Sequence, residues 1–414
     1  MEEKQSWDWS TQLKEIPLKE WESRFNWVED ICISRDGESI AGIVNLDEMA
    51  FGICENGELW EGEHEKAWSL KALPDNRFAA CVCVDEEWGL VVDGKAWENR
   101  FDFIWHLCAT PDGSHVGLAF QNDMEYGMAV DDSLWESTYE NMTGMVLGQQ
   151  GRTAAVVQAE PMAAADVAAF SQGLFTVAVD GRISGERYLN AWDIAFDATG
   201  ENQAWAVRLD REQYSIAVND TVWDSRFQAV WGPAFCDRGK SVAAPVRNGG
   251  KWQLYKNDAL FWTGKYENIW RLLANPANVG LAAVVAPAFG RWGVAENDIV
   301  WPVTWDTMVR DIYYSEDGNV LLAVFKDRGY WGLAKNGTPW QLICDKIFTP
   351  AMSPDGQAVA VRFEKAGRYY LAVNDRVITG PYEAMADPVI SPDGNKVLVK
   401  GIENGMYKRK VVVL

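Results

Sequence analysis

Residues 223–262 read WDSRFQAVWGPAFCDRGKSVAAPVRNGGKWQLYKNDALFW, and this stretch sets out the unit from which the whole chain is built. Four short runs rich in Val, aromatic residues and period-two alternation are separated by Asp-Arg-Gly, Asn-Gly-Gly and Asn-Asp turns. Gly, Asn and Asp reach the positive φ that tight hairpin turns require. The stretch therefore predicts four antiparallel strands joined by short turns.

The unit recurs ten times at an interval of about 39 residues. Each copy ends on a marker position, which is Ser184 in the fourth copy, Ile378 in the last, and tryptophan in the others: Trp21, Trp60, Trp97, Trp135, Trp223, Trp262, Trp301 and Trp340. Self-similarity at a fixed period indicates a repeat architecture in which no unit buries its apolar face alone. We predict an all-β fold, a β-propeller of about ten four-stranded WD40-like or WG-like blades.

Two further positions are aromatic in nearly every copy. The first set, five residues before each Asn/Asp turn, comprises Phe51, Trp88, Tyr126, Phe175, Tyr214, Trp252, Trp292, Trp331 and Tyr369. The second set follows each marker by four residues and comprises Phe25, Phe101, Tyr139, Tyr188, Phe227, Tyr266, Trp305 and Tyr382. Large rings at equivalent places pack one sheet on the next, so we interpret most tryptophans as blade-to-blade core rather than as ligand-stacking groups.

The two ends of the chain predict how the ring closes. The tenth unit stops one strand short, and a strand-like run, Ile16 to Trp21, precedes the first full unit. We expect the N-terminal strand to pair with the C-terminal blade, which hides a sheet edge that would otherwise invite aggregation. The predicted organisation is an N-terminal extension over residues 1–15 and a propeller over residues 16–414.

Ten blades satisfy either one large ring or two five-bladed rings. The junction after Trp223 resembles every other junction, with no Pro-, Gly- or Ser-rich linker where a domain boundary would fall. We therefore favour a single ring.

Two segments depart from the repeat and are our candidate partner contacts. The fourth unit carries an Ala-rich insertion at about 159–170, including Pro161, Met162 and Phe170, whose composition predicts one to three helical turns. Insertions in repeat proteins often fall on the binding face, although a tolerated surface loop explains this one equally well. The N-terminal extension contains Trp7 and Trp9, which we expect to pack on this ring or on another protein.

Composition excludes several classes of function. The formal net charge of −22 repels phosphate backbones, so we expect no nucleic-acid partner. The basic cluster Lys408-Arg409-Lys410 lies in the last strand-like run, and we interpret it as a solvated strand face. No run of eighteen apolar residues and no signal peptide is present, so we expect no membrane insertion and a cytoplasmic location. Seven scattered cysteines favour reduced, packed thiols.

Motifs for enzymatic chemistry are missing from the sequence. Gly-x-Gly-x-x-Gly, Walker, Gly-x-Ser-x-Gly and His-Glu-x-x-His patterns do not occur. Cys81 and Cys83 lie two apart on one strand, which is not metal-ligand spacing. The Asp-Gly pairs recur too regularly to be catalytic and indicate turns. We therefore predict no catalytic, metal-binding or cofactor-binding residues, and a structural or interaction protein rather than an enzyme.

The repeat also carries resemblances to known proteins. The runs Ser353-Pro354-Asp355-Gly356 and Ser391-Pro392-Asp393-Gly394 resemble bacterial WD40-like units, and Trp88-Gly89, Trp292-Gly293 and Trp331-Gly332 resemble WG-type repeats. In length, cytoplasmic character and its 22 tryptophans the chain resembles the tryptophan-rich subunit of the transmembrane redox complex (Tmc) of sulfate-reducing bacteria. That resemblance implies a cofactor-free subunit associated with a haem-b membrane protein, an iron–sulfur subunit and a multihaem cytochrome c.

The leading hypothesis from the sequence is a non-catalytic scaffold of a membrane-associated electron-transfer complex. It would lie on the cytoplasmic side, peripheral at the inner face of the membrane, and hold protein partners such as the iron–sulfur and haem-b subunits. Two alternatives use the central funnel of the ring. One is a propeller enzyme, and the other is a module that binds a small ligand through stacking aromatic rings.

Overall fold

A computed structural model shows an all-β protein in which ten four-stranded antiparallel blades surround one axis. The structure describes residues 8–160, 173–183, 185–277 and 279–414. The predicted fold class, a ten-bladed β-propeller, is confirmed. First strands of neighbouring blades contact one another, as β2 (Trp27–Ile33) does with β6 (Lys66–Ala72), so the first strand of each blade is innermost.

The first five blades have one regular strand order, in which each strand pairs with the next along the chain. After β2, blade 1 continues with β3 (Ile40–Asp47), β4 (Ala50–Glu55) and β5 (Glu58–Leu59). After β6, blade 2 continues with β7 (Phe78–Val84), β8 (Glu87–Val92) and β9 (Lys95–Ala96). Blade 3 comprises β10 (Phe103–Ala109), β11 (Val116–Asn122), β12 (Glu125–Val130) and β13 (Ser133–Leu134). Blade 4 comprises β14 (Met142–Leu147), a 3₁₀ turn (Gln149–Gly151), β15 (Thr153–Gln158), β16 (Phe175–Val179) and β17 (Arg182–Ile183). Blade 5 comprises β18 (Asn190–Phe196), β19 (Gln203–Arg208), β20 (Tyr214–Val218) and β21 (Thr221–Val222).

Blades 6 to 10 complete the ring. Blade 6 comprises β22 (Ala229–Val230), β23 (Ala234–Cys236), β24 (Ser241–Asn248), β25 (Lys251–Lys256) and β26 (Ala259–Tyr266). Blade 7 comprises β27 (Asn268–Ala274), β28 (Leu281–Ala288), β29 (Arg291–Glu296) and β30 (Ile299–Val300). Blade 8 comprises β31 (Met308–Tyr314), β32 (Leu321–Asp327), β33 (Tyr330–Lys335) and β34 (Thr338–Pro339). Blade 9 comprises β35 (Lys346–Ile347), β36 (Ala351–Met352), β37 (Val359–Lys365), β38 (Arg368–Val373) and β39 (Arg376–Tyr382). Blade 10 comprises β40 (Ala384–Met385), β41 (Val389–Ile390), β42 (Lys396–Glu403), β43 (Met406–Val413) and β1 (Leu13–Pro17).

The innermost strands of blades 6, 9 and 10 are each split in two. Each split falls at a proline, Pro233, Pro350 or Pro388, which lies between the two segments. Proline has no N–H to donate, so the ladder to the second strand is interrupted there.

The N-terminal strand closes the ring, as predicted. β1 pairs antiparallel with β43 in a register that places Ile16 opposite Tyr407 and Leu13 opposite Lys410. The strand begins three residues before its predicted start. A short helix, α1 (Lys19–Arg24), follows it and buries the first marker, Trp21, where the sequence suggested extended chain.

The marker residues lie in the seams between blades. Trp21, Trp97, Trp135, Trp223, Trp262 and Trp301 are buried, and Trp60 and Trp340 are half-buried. Several stack on a turn glycine of the next blade, so that a Cβ on Gly181 would lie 3.0 Å from the Trp135 side chain. The seam between blades 5 and 6, which holds Trp223, is packed like the others.

The two aromatic sets meet each other, which the sequence did not reveal. Nine blades carry a residue of the first aromatic set. In each of them, that residue pairs across the strands with the residue that follows the marker by four positions. Trp88 pairs in this way with Phe101, and Trp292 with Trp305. The outer partner is buried in every pair except that of Tyr139, which is half-buried, and the inner partner is mostly half-buried. His64 and Cys344 take the outer place in the two blades without an aromatic residue there, and both are buried. The pairs therefore cap one end of each blade.

An aspartate in the last turn of several blades binds the backbone of the preceding blade. Asp258 Oδ2 accepts the N–H of Asp224 at 2.8 Å and that of Ser225 at 3.3 Å, just after the marker Trp223. The equivalent residues Asp132, Asp298 and Asp375 bind the chain after Trp97, Trp262 and Trp340. These bonds link blades whose strands do not pair with each other.

Replacing Asp258 tests this link. We expect Asp258→Ala to lower the free energy of unfolding by about 1 kcal/mol, because a hydrogen bond to a charged acceptor contributes about that much or slightly more. Urea denaturation followed by circular dichroism measures the change. Asp258→Asn is the control and should lose less, since its amide oxygen still accepts one bond. Equal losses in the two variants would contradict the assigned role.

Candidate interaction surfaces

The ring presents two faces made of different turns. We call the insertion face the one formed by the turns between the second and third strands of each blade, because the insertion of blade 4 falls there. The opposite face carries the turns between the first and second strands, among them the Ser-Pro-Asp-Gly runs. In these runs the serine hydroxyl donates to the aspartate two residues later, as Ser353 does to Asp355 at 2.6 Å. The aspartate carboxylates are therefore used in turn formation, as the sequence indicated.

Exposed apolar side chains stand at the tips of the insertion-face turns. Phe289 is 94% exposed and Met124 is 80% exposed, while Met49 and Tyr330 are more than half exposed. They belong to blades 7, 3, 1 and 8, and so lie on separate parts of the rim. Large apolar groups at the tips of rigid hairpins are typical of residues that contact another protein.

Charge on the insertion face is divided between two arcs of the ring. The turns of blades 1 to 3, residues 47–50, 84–87 and 122–125, contain seven carboxylates and no Lys or Arg. The turns of blades 6 to 9, residues 248–251, 288–291, 327–330 and 365–368, contain five cations and one carboxylate. We call these the acidic arc and the basic arc. The net charge of the whole chain gave no sign of this division.

Some of these charges are already paired within the ring. Lys251 binds Glu267, and Arg291 donates to Thr304. Arg368 lies 3.8 Å from Glu383. Ion pairs as exposed as these contribute at most about 1 kcal/mol, so they exchange readily for contacts with a partner.

Most of the candidate partner contacts from the sequence lie outside the described residues. This applies to Trp7, Pro161, Met162 and Phe170, so their role stays a prediction. Trp9 is half-buried, and its carbonyl accepts a bond from the Lys396 ammonium at 3.2 Å. Blade 10 therefore holds the chain at Trp9.

The basic cluster near the C-terminus is not a solvated strand face, and that prediction is wrong for Arg409. Arg409 is completely buried and forms an ion pair with Glu38 at 2.7 Å. It also donates to the carbonyls of Asp8, Thr11 and Asp36. Only Lys410 of the three is exposed. Strand alternation explains the difference, because every second residue of β43 points into the seam between blades 10 and 1.

A second buried cation supports the same seam. Lys400 donates to the carbonyls of Ser34 and Arg35, and the Tyr407 hydroxyl donates to that of Gly37. Burial lowers the pKa of the Lys400 ammonium to about 8. The cations of blade 10 thus bind the first turn of blade 1, and they are structural.

The cysteines are buried or half-buried, and none forms a disulfide. Burial raises the pKa of the thiols to about 12 at Cys32, Cys81 and Cys344 and to about 11 at Cys54, Cys108 and Cys236. Thiols of this kind are poor nucleophiles, because the thiolate is the reactive form.

We expect the folded protein to react slowly with a disulfide reagent such as DTNB at pH 8. At a pKa of about 11 or 12, six of the thiols are about 0.1% thiolate or less at pH 8, and burial also raises the pKa of Cys83. The measurement compares the rate of thiol release in buffer and in denaturant, where all seven cysteines should react. A stoichiometric fast phase in the folded protein would show an activated thiol and contradict this expectation.

Within the described ranges, no group of three His, Cys, Asp or Glu side chains is arranged to hold a metal ion. In the same part of the chain, no helix is long and apolar enough to cross a membrane.

Comparisons with known proteins give only distant likenesses. No model of a known protein family matches the chain, and no curated protein matches it. A crystal structure of the eukaryotic initiation factor is similar over 80% of this chain and 90% of that chain, with 12% identity and a TM-score of 0.47. TolB from Acinetobacter baumannii is similar over 74% of this chain and 78% of that chain, with 15% identity and a TM-score of 0.32. The propeller domain of Cps50 (Swd1) from Myceliophteria thermophila is similar over 66% of this chain and 97% of that chain, with 12% identity and a TM-score of 0.30. Likenesses this distant support no conclusion about function.

Proposed function

We propose that the protein is a non-catalytic scaffold whose insertion face binds other proteins. The observation that carries this proposal is the set of exposed apolar turn tips on that face, two of which lie in the acidic arc and two in the basic arc. Protein interfaces combine such apolar anchors with a polar, charged rim. The turns stand on a rigid ring, which positions them without further ordering on binding.

The division of charge defines the chemistry of the partner surface. A partner that covers both arcs presents cations to the turns of blades 1 to 3 and carboxylates to the turns of blades 6 to 9. Such complementarity of charge mainly accelerates the association of the two proteins and selects their relative orientation, and it adds less to their affinity. Binding should therefore weaken as salt rises, because the exposed charges are screened over about 8–10 Å at physiological ionic strength.

The resemblance to the tryptophan-rich subunit of the transmembrane redox complex suggests which proteins these are. We propose that the partners are the iron–sulfur and haem-b subunits of a membrane-associated electron-transfer complex, bound at the cytoplasmic side. The protein would then be peripheral to the membrane and carry no cofactor of its own. Purification of the tagged protein from its native organism in mild detergent tests this directly. Haem bands and these subunits in the eluate support it, and a colourless eluate without them contradicts it.

Two substitutions in blade 7 test the choice of face. We expect Phe289→Asp to reduce the yield of copurified partner at least tenfold, because Phe289 is the most exposed of the apolar turn tips described on the insertion face and truncating an interface anchor costs about 2 kcal/mol or more. Val279→Asp is the matched control, since Val279 is also exposed (68%) but lies in the turn on the opposite face of the same blade. The yield measured by quantitative mass spectrometry should be unchanged in the control. Loss of partner only with Val279→Asp would place the binding surface on the other face.

A further inference from the structure

The innermost strands carry a third set of large rings at equivalent positions. Each member lies four residues after the outer partner of the aromatic pair in its blade, and the set comprises Trp68, Trp105, Trp192, Trp231, Trp270 and Phe348. These rings contact the inner partners, as Trp68 does Trp88 with centroids 6.3 Å apart and Trp105 does Tyr126 with centroids 5.8 Å apart. The inner partners directly follow the insertion-face turns. The rings of the first and third sets therefore form an aromatic layer beneath that face.

In blades 8 and 9 the chain places its own cations on this layer. Arg310 takes the third-set position of blade 8, where the strand has one additional residue before it. Its guanidinium carbon lies 5.5 Å from the centroid of Trp331, and the Lys326 ammonium lies 5.5 Å from the same ring. In blade 9 the guanidinium carbon of Arg362 lies 3.9 Å from the centroid of Phe348. A cation within about 6 Å of a ring centroid is attracted by the quadrupole of the ring. The layer thus binds guanidinium groups where the chain supplies them.

Five rings of blades 2 and 3 form a continuous group across the seam between these blades. Phe103 stacks on Trp68 and on Trp105, with centroids 6.0 and 6.2 Å apart. Trp88 and Tyr126 meet this stack edge-on. We call these five residues the aromatic cluster. Phe103 is 41% exposed, and the other four rings are half-buried. Within the described ranges, no cation lies over any ring of the cluster.

Exposed carboxylates border the aromatic cluster at the insertion face. Asp102, Glu87 and Glu125 each directly precede a ring of the cluster, and all three are exposed. None of them forms an ion pair with another residue that the structure describes. The cations Lys66 and Arg100, which come shortly before rings of the cluster, form no ion pair with them. This part of the insertion face is therefore both aromatic and negatively charged, and it attracts cations.

We propose that the aromatic cluster binds arginine side chains on a basic segment of the protein partner. A guanidinium is planar and weakly hydrated, so it packs on an aromatic ring while its N–H groups donate to a carboxylate. The cluster offers both contacts, the exposed part of the Phe103 ring and the carboxylate of the preceding residue, Asp102. Arg310 on Trp331 shows the first contact within this chain. The inference rests on the proposed function for a protein as the partner, and it adds the chemistry of the segment that covers blades 2 and 3.

A labelled peptide of sequence Arg-Gly-Arg-Gly-Arg with blocked ends tests the site by fluorescence anisotropy at low ionic strength. It should bind saturably and about two- to fivefold more tightly than a Lys-Gly-Lys-Gly-Lys peptide of equal charge, because a lysine ammonium is more strongly hydrated. A Glu-Gly-Glu-Gly-Glu peptide should not bind. Absence of saturable binding of the arginine peptide at millimolar concentration overturns the proposal.

Two leucine substitutions separate the aromatic cluster from other rings of the protein. Phe103→Leu keeps an apolar side chain and removes the central ring of the stack, so it should weaken binding of the arginine peptide about two- to fivefold. Trp231→Leu is the matched control, because Trp231 is a third-set ring of similar exposure (42%) in the basic arc. The control should leave the affinity unchanged. Equal affinity of Phe103→Leu and the unmodified protein for the arginine peptide would show attraction by charge alone and overturn the role of the rings.

A variant with altered charge separates this inference from the proposed function. Asp102→Asn combined with Glu87→Gln and Glu125→Gln should weaken binding of the arginine peptide at least about tenfold and lower the yield of copurified partner. If Phe289→Asp loses the partner while the triple variant retains it, the proposed function stands and the assignment of the partner's segment to the cluster is overturned. If no partner copurifies with the unmodified protein, the proposed function fails, and the protein partner assigned to the cluster fails with it.

Discussion

Deletion of residues 1–21 is expected to lower the free energy of unfolding by more than about 5 kcal/mol, the largest effect that we predict. The deletion removes β1 and with it the buried side chains of Ile16, Leu18 and Trp21, each of which contributes about 2 kcal/mol or more. It also exposes the edge of β43, whose backbone groups then have no partner strand. Urea denaturation followed by circular dichroism measures the loss, and an unchanged denaturation curve would contradict the closure.

A pair of substitutions separates closure from a general effect of shortening the chain. Ile16→Asp places a charge in the apolar seam between blades 10 and 1 and should cost about 3 kcal/mol or more. Leu13→Asp lies on the same strand, but Leu13 is 51% exposed and faces Lys410, so its change should be within about 0.5 kcal/mol. A peptide of residues 8–21 added to the truncated protein should restore part of its stability, because it supplies the missing strand.

Arg409→Met is expected to lower the free energy of unfolding by about 3 kcal/mol. The guanidinium is completely buried, and its removal leaves the carbonyls of Asp8 and Asp36 without this donor, while Glu38 keeps only the bond from Lys14. Breaking a buried ion pair by removing one partner typically costs about 3–5 kcal/mol, and the partial exposure of Glu38 places this pair at the lower limit.

The neighbouring residue supplies the control for Arg409. Lys410→Met removes the same type of charge one position later, where the side chain is exposed, and should change stability by no more than about 0.5 kcal/mol. Equal effects of the two single variants in urea denaturation would show that Arg409 does not hold the seam.

The number of blades, the four strands of each blade and the closure of the ring could all be predicted from the amino-acid sequence. These follow from local patterns, namely turn residues that require positive φ and apolar residues with a period of two. Because the patterns repeat ten times, a wrong strand assignment in one unit does not affect the assignments in the other units. The insertion of blade 4 and the missing marker at Ser184 were also visible as breaks in the period. The roles of Trp7, Pro161, Met162 and Phe170 stay predictions.

The contacts between residues across the seams could not be predicted from the sequence and are visible only in the folded ring. Arg409 looked like part of a solvated basic cluster, and its burial follows from the contact of β43 with a turn 373 residues earlier in sequence. The two charged arcs come from turns far apart along the chain, which one face of the ring brings together. Sequence periodicity reports the contacts within a unit, whereas surfaces and cavities arise between units, where closure of the ring sets the neighbours.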